Sequence, residues 1–348
     1  MELSGRLADV TTPDLPGSVR SRRRRAHPIL RFVVRRVAAG ILTLFVVSVL
    51  VFAGTEVLPG DAAGAVLGRS AAPAQLAELR AQMGLDRPAA ERYLDWLGGL
   101  LTGDLGNSAA GFAEGSVRPI WGEISGEIGN SLILALLAAI IMIPVSLALG
   151  VLAAVRAGRP TDHAVSAGSL AVISLPEFII GSLLILLFFS WLGILTPVSL
   201  IPPGESPLSY PKELVLPILT LLCASMAASI RMVRAGMIEA LGTEYVQMAR
   251  LSGLRERKVI GRYALRNALA PSVQVFAQNI QYLVGGIIVV EYLFAYPGLG
   301  KELVDAVAIR DVREVQSVAI LIAAVYITLN IVADLLVVLL VPKLRTAQ

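Results

Sequence analysis

The sequence contains one cysteine, Cys223, and two histidines, His27 and His163, among its 348 residues. A single cysteine excludes an intrachain disulfide and a cysteine-built metal site. Both histidines lie in charged segments outside the apolar runs, so a zinc site or a Ser-His-Asp arrangement has almost no raw material. Charge is scarce as well: Asp, Glu, Lys and Arg make up 16% of the chain, against roughly a quarter in a soluble domain. What fills the sequence is apolar. Hydrophobic residues account for 55% and the mean hydropathy is +0.72, and they cluster in long runs that a bilayer core demands.

Six runs are long enough for a membrane crossing, which takes about 20 helical residues. They are Val37–Leu58, Ser131–Val155, Ala164–Leu192, Leu214–Val233, Ser272–Phe294 and Val315–Val341. None shows the two-residue alternation of a barrel strand, and open sheet edges are not satisfied in lipid, so the expected fold is an all-α integral membrane protein. Of the 30 Lys and Arg residues, 21 fall in segments 1–36, 156–159, 231–271 and 343–345. The positive-inside rule then places both termini in the cytoplasm. Residues 1–28, with the Arg22–Arg25 run, read as a disordered cytoplasmic tail. A twin-arginine export signal is a rival reading, opposed by a long apolar segment without a small-residue cleavage pattern.

Residues 29–58 form the first crossing and 131–345 a core with the other five. Between them, 59–130 is an extracytoplasmic loop. Leu76, Leu79 and Met83, then Tyr93, Leu94, Leu97 and Leu101, recur in it at helical spacing and predict amphipathic helices over Ala74–Met83 and Ala89–Leu101. The internal segment 234–271 carries GTEYVQMARLSGLRERKVIGRYALRNALAP, whose Gly253 is suited to a positive φ that ends a helix.

That loop resembles the cytoplasmic loop of membrane subunits of binding-protein-dependent ABC importers: an acidic residue, an Ala-rich helix, Gly after a short gap, then a second helix ending near Pro. Here Glu244, Tyr245, Ala249, Gly253 and Pro271 carry it. Other marks narrow the resemblance to the dipeptide/oligopeptide B-type permeases, a group shared with nickel and glutathione importers. They are Leu58-Pro59-Gly60-Asp61, Met83-Gly84-Leu85-Asp86, Gly98-Gly99-Leu100-Leu101 with Gly103-Asp104-Leu105-Gly106, and Ser174-Leu175-Pro176. Tyr263-Ala264-Leu265-Arg266-Asn267-Ala268-Leu269, Val290-Glu291, Tyr296-Pro297-Gly298-Leu299-Gly300 and Asp334 complete the series. The match spans about residues 30–345, although the Gly253-to-Pro271 spacing is longer than in the generic importer loop.

The resemblance implies a type I importer permease in a bacterial cell membrane, with six transmembrane helices and cytoplasmic coupling helices. It implies as partners a homologous second permease subunit, two cytoplasmic ATPase subunits that bind ATP and Mg, an extracytoplasmic substrate-binding protein and a small peptide substrate. No cofactor belongs to this chain, and no nucleic acid is involved. Glu244, Tyr245, Ala249, Gly253, Arg266, Asn267 and Pro271 would form the ATPase-coupling loop. The bland alternative is a basic loop that only sets topology.

Gln274, Gln278 and Gln281 stand at i, i+4 and i+7 in the fifth crossing, beside Asn279. Amides in a membrane helix face protein or water, either lining a path for a peptide backbone or joining helices. Glu177 follows Pro176 within the third crossing, where a kink is expected. Its carboxyl either answers a substrate α-ammonium, or stays protonated or bonds freed backbone. Asp334 is expected to bond a neighbouring helix or to snorkel inward. Gly298-Leu299-Gly300-Lys301 imitates a phosphate loop, but Ala295 and Glu302 break the Walker spacing. A proton-coupled carrier using Glu177 and Asp334 is the rival of another class. The intramembrane acids are few for it, and no inverted pair of similar halves is visible.

Overall fold

The computed structural model describes residues 28–57, 62–68, 72–113 and 115–340. Apart from Pro28, the predicted tail with its Arg22–Arg25 run lies outside them, as do Leu58-Pro59-Gly60-Asp61, Lys343 and Arg345. The described residues form helices in the order α1 (Pro28–Val57), α2 (Ala62–Leu67), α3 (Pro73–Gln82), α4 (Ala89–Thr102), α5 (Ala109–Ala113), α6 (Ile120–Val155) and α7 (Pro160–Ile173). There follow α8 (Glu177–Ile185), α9 (Pro211–Leu241), α10 (Glu244–Leu251), α11 (Glu256–Lys258), α12 (Leu265–Leu293), α13 (Leu299–Ile309) and α14 (Val312–Leu340). A π-helical stretch, Leu186–Trp191, extends α8, and another, Val259–Ala264, joins α11 to α12. The two helices predicted over 74–83 and 89–101 are α3 and α4.

Among the described residues, five helices are long and apolar enough to cross a membrane: α1, α6, α9, α12 and α14. The predicted third crossing is not one helix. α7 and the Glu177–Trp191 segment meet at 110°, and only as a bent pair do they make a sixth span. Proline explains the break. Pro176 has no N–H to donate, and its ring drives Leu175 out of the α region, so the helix stops and restarts rather than kinking.

α9 is the centre of the bundle, packed between α6 and α12, with 56% of its apolar stretch buried against 6% for α1. Leu134, Met142, Leu221, Met237 and Leu283 form part of the main core. Asp334 of α14 pairs with Arg36 of α1 at 2.9 Å, which realises the predicted bond to a neighbouring helix. α6 has 36 residues, so it runs about 54 Å and outreaches a hydrocarbon core of about 30 Å. Its first turns, through Ile120 and Ile124, pack with Leu105, Leu299 and Val318 in a smaller second core. That core fastens residues 89–119 to one end of the bundle; α10 and α11 lie at the ends of α9 and α12.

Candidate functional site

The loop between α9 and α12 is built from local chemistry. α10 ends in a two-bond cap: Gly253 N–H donates to Arg250 O at 2.9 Å and Leu254 N–H to Ala249 O at 3.3 Å. Such a cap needs a left-handed residue, and Gly253 has φ +73. A Cβ there would meet nothing within 4 Å, so within this chain the requirement is conformational and not one of close packing. Val246 and Ala249 face inward with Val259 and Ala264, while Tyr245, Met248 and Leu251 are exposed. Glu244 and Arg266 are exposed too. Asn267 Nδ2 donates to Tyr245 Oη at 2.6 Å, tying α12 to α10. The Arg250 guanidinium bonds both oxygens of Glu256 and holds that carboxyl below its usual range.

The second loop helix does not end near Pro271, as the resemblance implied. α12 runs through Pro271 to Leu293, and the π-helical stretch before it connects directly to α11. A proline inside a membrane helix is tolerated because neighbouring groups and local adjustments satisfy the freed carbonyl. The second loop helix and the fifth crossing are therefore one rod over residues 256–293.

On that rod the amides divide. Asn279 Nδ2 donates to Ser229 Oγ of α9 at 2.5 Å and acts as interhelical glue. Gln274 and Gln278 are exposed on the open side, with Gln281 partly so. Glu177 of α8 reaches the same helix. Its carboxylate sits against Gly286, where a Cβ would come within 2.5 Å of Oε1, and it interacts with the Tyr282 hydroxyl. The fold thus brings Glu177 to Gly286 and Tyr282, while Gln281, Gln278 and Gln274 lie 5, 8 and 12 positions from Gly286, or about 7.5, 12 and 18 Å along the helix. Among the described residues no His, Cys, Asp and Glu group is arranged to hold a metal ion.

Residues 146–346 match the family described as binding-protein-dependent transport system inner membrane component, and residues 29–116 match the N-terminal domain of such components. This chain belongs to that family. A di/tripeptide transport system permease of Pseudomonas aeruginosa is 36% identical over 339 residues, covering 91% of this chain and 99% of the relative. A glutathione transport system permease of Escherichia coli is 36% identical over 318 residues, covering 91% and 99%.

Several marks of the transport family turn out to be structural locks whose partners the sequence could not supply. Glu291 is fully buried; its carboxylate accepts from Ser131 Oγ and Gly300 N–H, each at 2.6 Å. A Cβ at Gly298 or Gly300 would collide with that carboxylate, so the glycines form a cradle for Glu291 and not for phosphate. Asn130 donates to Pro297 O and accepts from the Tyr296 hydroxyl at 2.8 Å each, and burial pushes that phenol upward. At the bundle end, Asp311 accepts from Ser108 Oγ at 2.7 Å and Ala110 N–H at 3.1 Å, and bonds Glu314 N–H at the start of α14. Asp162 of α7 binds Arg234 of α9 through two bonds, at 2.5 and 2.8 Å. No spacing read in the sequence pointed to any of these partners.

Proposed function

We propose that this chain is one of two membrane subunits of an ATP-driven importer for short peptides. The observation that carries this reading is the loop's construction: a capped helix with an exposed Tyr245-Met248-Leu251 face is tied through Asn267 to the rod of residues 256–293 that bears the amide stripe. Such an apolar face suits a groove on an ATPase, and a rigid helix passes its displacement to the pathway. Two ATPase subunits bind ATP and Mg, and a second permease closes the open side of α12. An extracytoplasmic binding protein delivers substrate, and the two halves rock in alternating access. The relatives named above move di/tripeptides and glutathione, which share a short peptide backbone. The loop end of the bundle is cytoplasmic by charge, as are both termini.

The test is uptake of radiolabelled alanyl-alanine into vesicles holding the whole assembly, with ATP inside and the proton gradient collapsed by an ionophore. Uptake that follows ATP and survives the ionophore is expected. Uptake that stops with the gradient and ignores ATP would make the chain a secondary carrier.

A further inference from the structure

Three acids packed in the bundle have their charge answered. Asp334 pairs with Arg36, Asp162 with Arg234, and Glu291 sits among N–H and O–H donors. Glu177 is different: among the described residues its carboxylate has the neutral Tyr282 hydroxyl and no ion pair. Yet it lies deep. Gly286, on which it rests, is 14 positions from Ser272 and 7 from Leu293, or about 21 and 10 Å along α12. A carboxylate at that depth takes a cation, a proton or a partner subunit's donor. Glu177 is only partly buried, and the Tyr282 beside it and Gln278, four positions further along α12, are exposed.

We propose that the Glu177 carboxylate, seated in the Gly286 notch beside Tyr282, receives the α-ammonium group of the peptide in the pathway. The inference rests on the importer reading above and adds the group that is recognised. The ammonium offers three N–H donors, which a carboxylate and a phenol oxygen accept. From Gly286 to Gln281 is 5 positions and to Gln278 is 8, about 7.5 and 12 Å along the helix. An extended di- or tripeptide spans about 7–11 Å, so its backbone reaches the glutamine amides once its amine is held. Charge would then be read at one end and the backbone by neutral donors and acceptors, with no demand on the side chains.

The experiment measures uptake of alanyl-alanine by the full reconstituted assembly with the interior at pH 7 and the outside at pH 7 or pH 9. An α-amino group titrates at about 8, so this step changes the peptide's amino end from mostly ammonium to mostly neutral amine, while its carboxylate stays ionised. Wild type, Glu177→Gln and Glu177→Asp share one binding protein, whose own pH response cancels in each variant-to-wild-type ratio. Glu177→Gln is expected to transport about tenfold more slowly than wild type at pH 7, with the ratio rising several-fold at pH 9. Glu177→Asp, which keeps the charge, should retain at least about half the wild-type rate at pH 7. An equal ratio at both pH values, or Glu177→Asp as slow as Glu177→Gln, makes Glu177 a structural residue and overturns the proposal. A normal rate in Glu177→Gln means the group is protonated or idle and overturns it as well. Loss of the second permease from the Glu177→Gln complex would show that the counter-charge lies on that subunit, which also overturns the proposal. Should wild type take up no peptide at all, the importer reading fails first and this inference falls with it.

Discussion

At position 253 the backbone stands at φ +73 with open space where a side chain would begin. Any other residue there pays about 1–2 kcal/mol in backbone strain, and a β-branched one more. That is enough to dissolve the last turn of an eight-residue helix without disturbing the crossings. Gly253→Val is therefore expected to insert normally and to bind its sister permease, while uptake and substrate-stimulated ATP hydrolysis fall together, at least fivefold. Gly253→Ala should fall less. Both rates are measured in reconstituted vesicles with subunit stoichiometry as the control; unchanged rates in Gly253→Val would remove the coupling role from this loop. Gly253 was legible in the sequence because a helix cap is local chemistry. Glu291 was not: its donors come from Ser131, 160 positions away, and from a loop whose glycines imitate another motif.

At the scale of elements, hydropathy was enough to find the crossings, since length and apolar content decide them. It could not give the 110° bend between α7 and α8, because Pro176 announces a break and tertiary packing sets its angle. Nor did it show that Pro271 is read through, which joins loop and crossing. The Asp162–Arg234 pair, 72 positions apart, clamps α7 to α9 close to α10 and was equally invisible. Asp162 is 3% exposed in that pair, so removing only its partner strands a buried charge, which costs more than removing both. Arg234→Leu alone is expected to lower the midpoint of thermal unfolding of the solubilised chain further than Asp162→Leu/Arg234→Leu together. Strictly additive shifts across this double-mutant cycle would show that the pair does not hold the two helices.

For the whole molecule, the first question is which end faces the cytoplasm. Leu101 on α4 and Leu251 on α10 are both 82% exposed in this chain, so in cells that make it without the ATPase subunits a difference in their labelling reports sidedness and not burial. With Cys223 replaced, Leu101→Cys is expected to react with an impermeant thiol reagent in intact cells and Leu251→Cys only after solubilisation. Labelling of Leu251→Cys in intact cells would invert the orientation.

Alternating access requires that nucleotide at the loop end change what the amide stripe meets. It is tested most directly by Gln278→Cys in the assembled transporter, again without Cys223, probed by an impermeant thiol reagent from the extracytoplasmic side. Fast labelling is expected in one nucleotide state, with at least tenfold protection in the other and loss of that difference when Gly253→Val is added. Equal labelling in both states with Gly253 intact would contradict it.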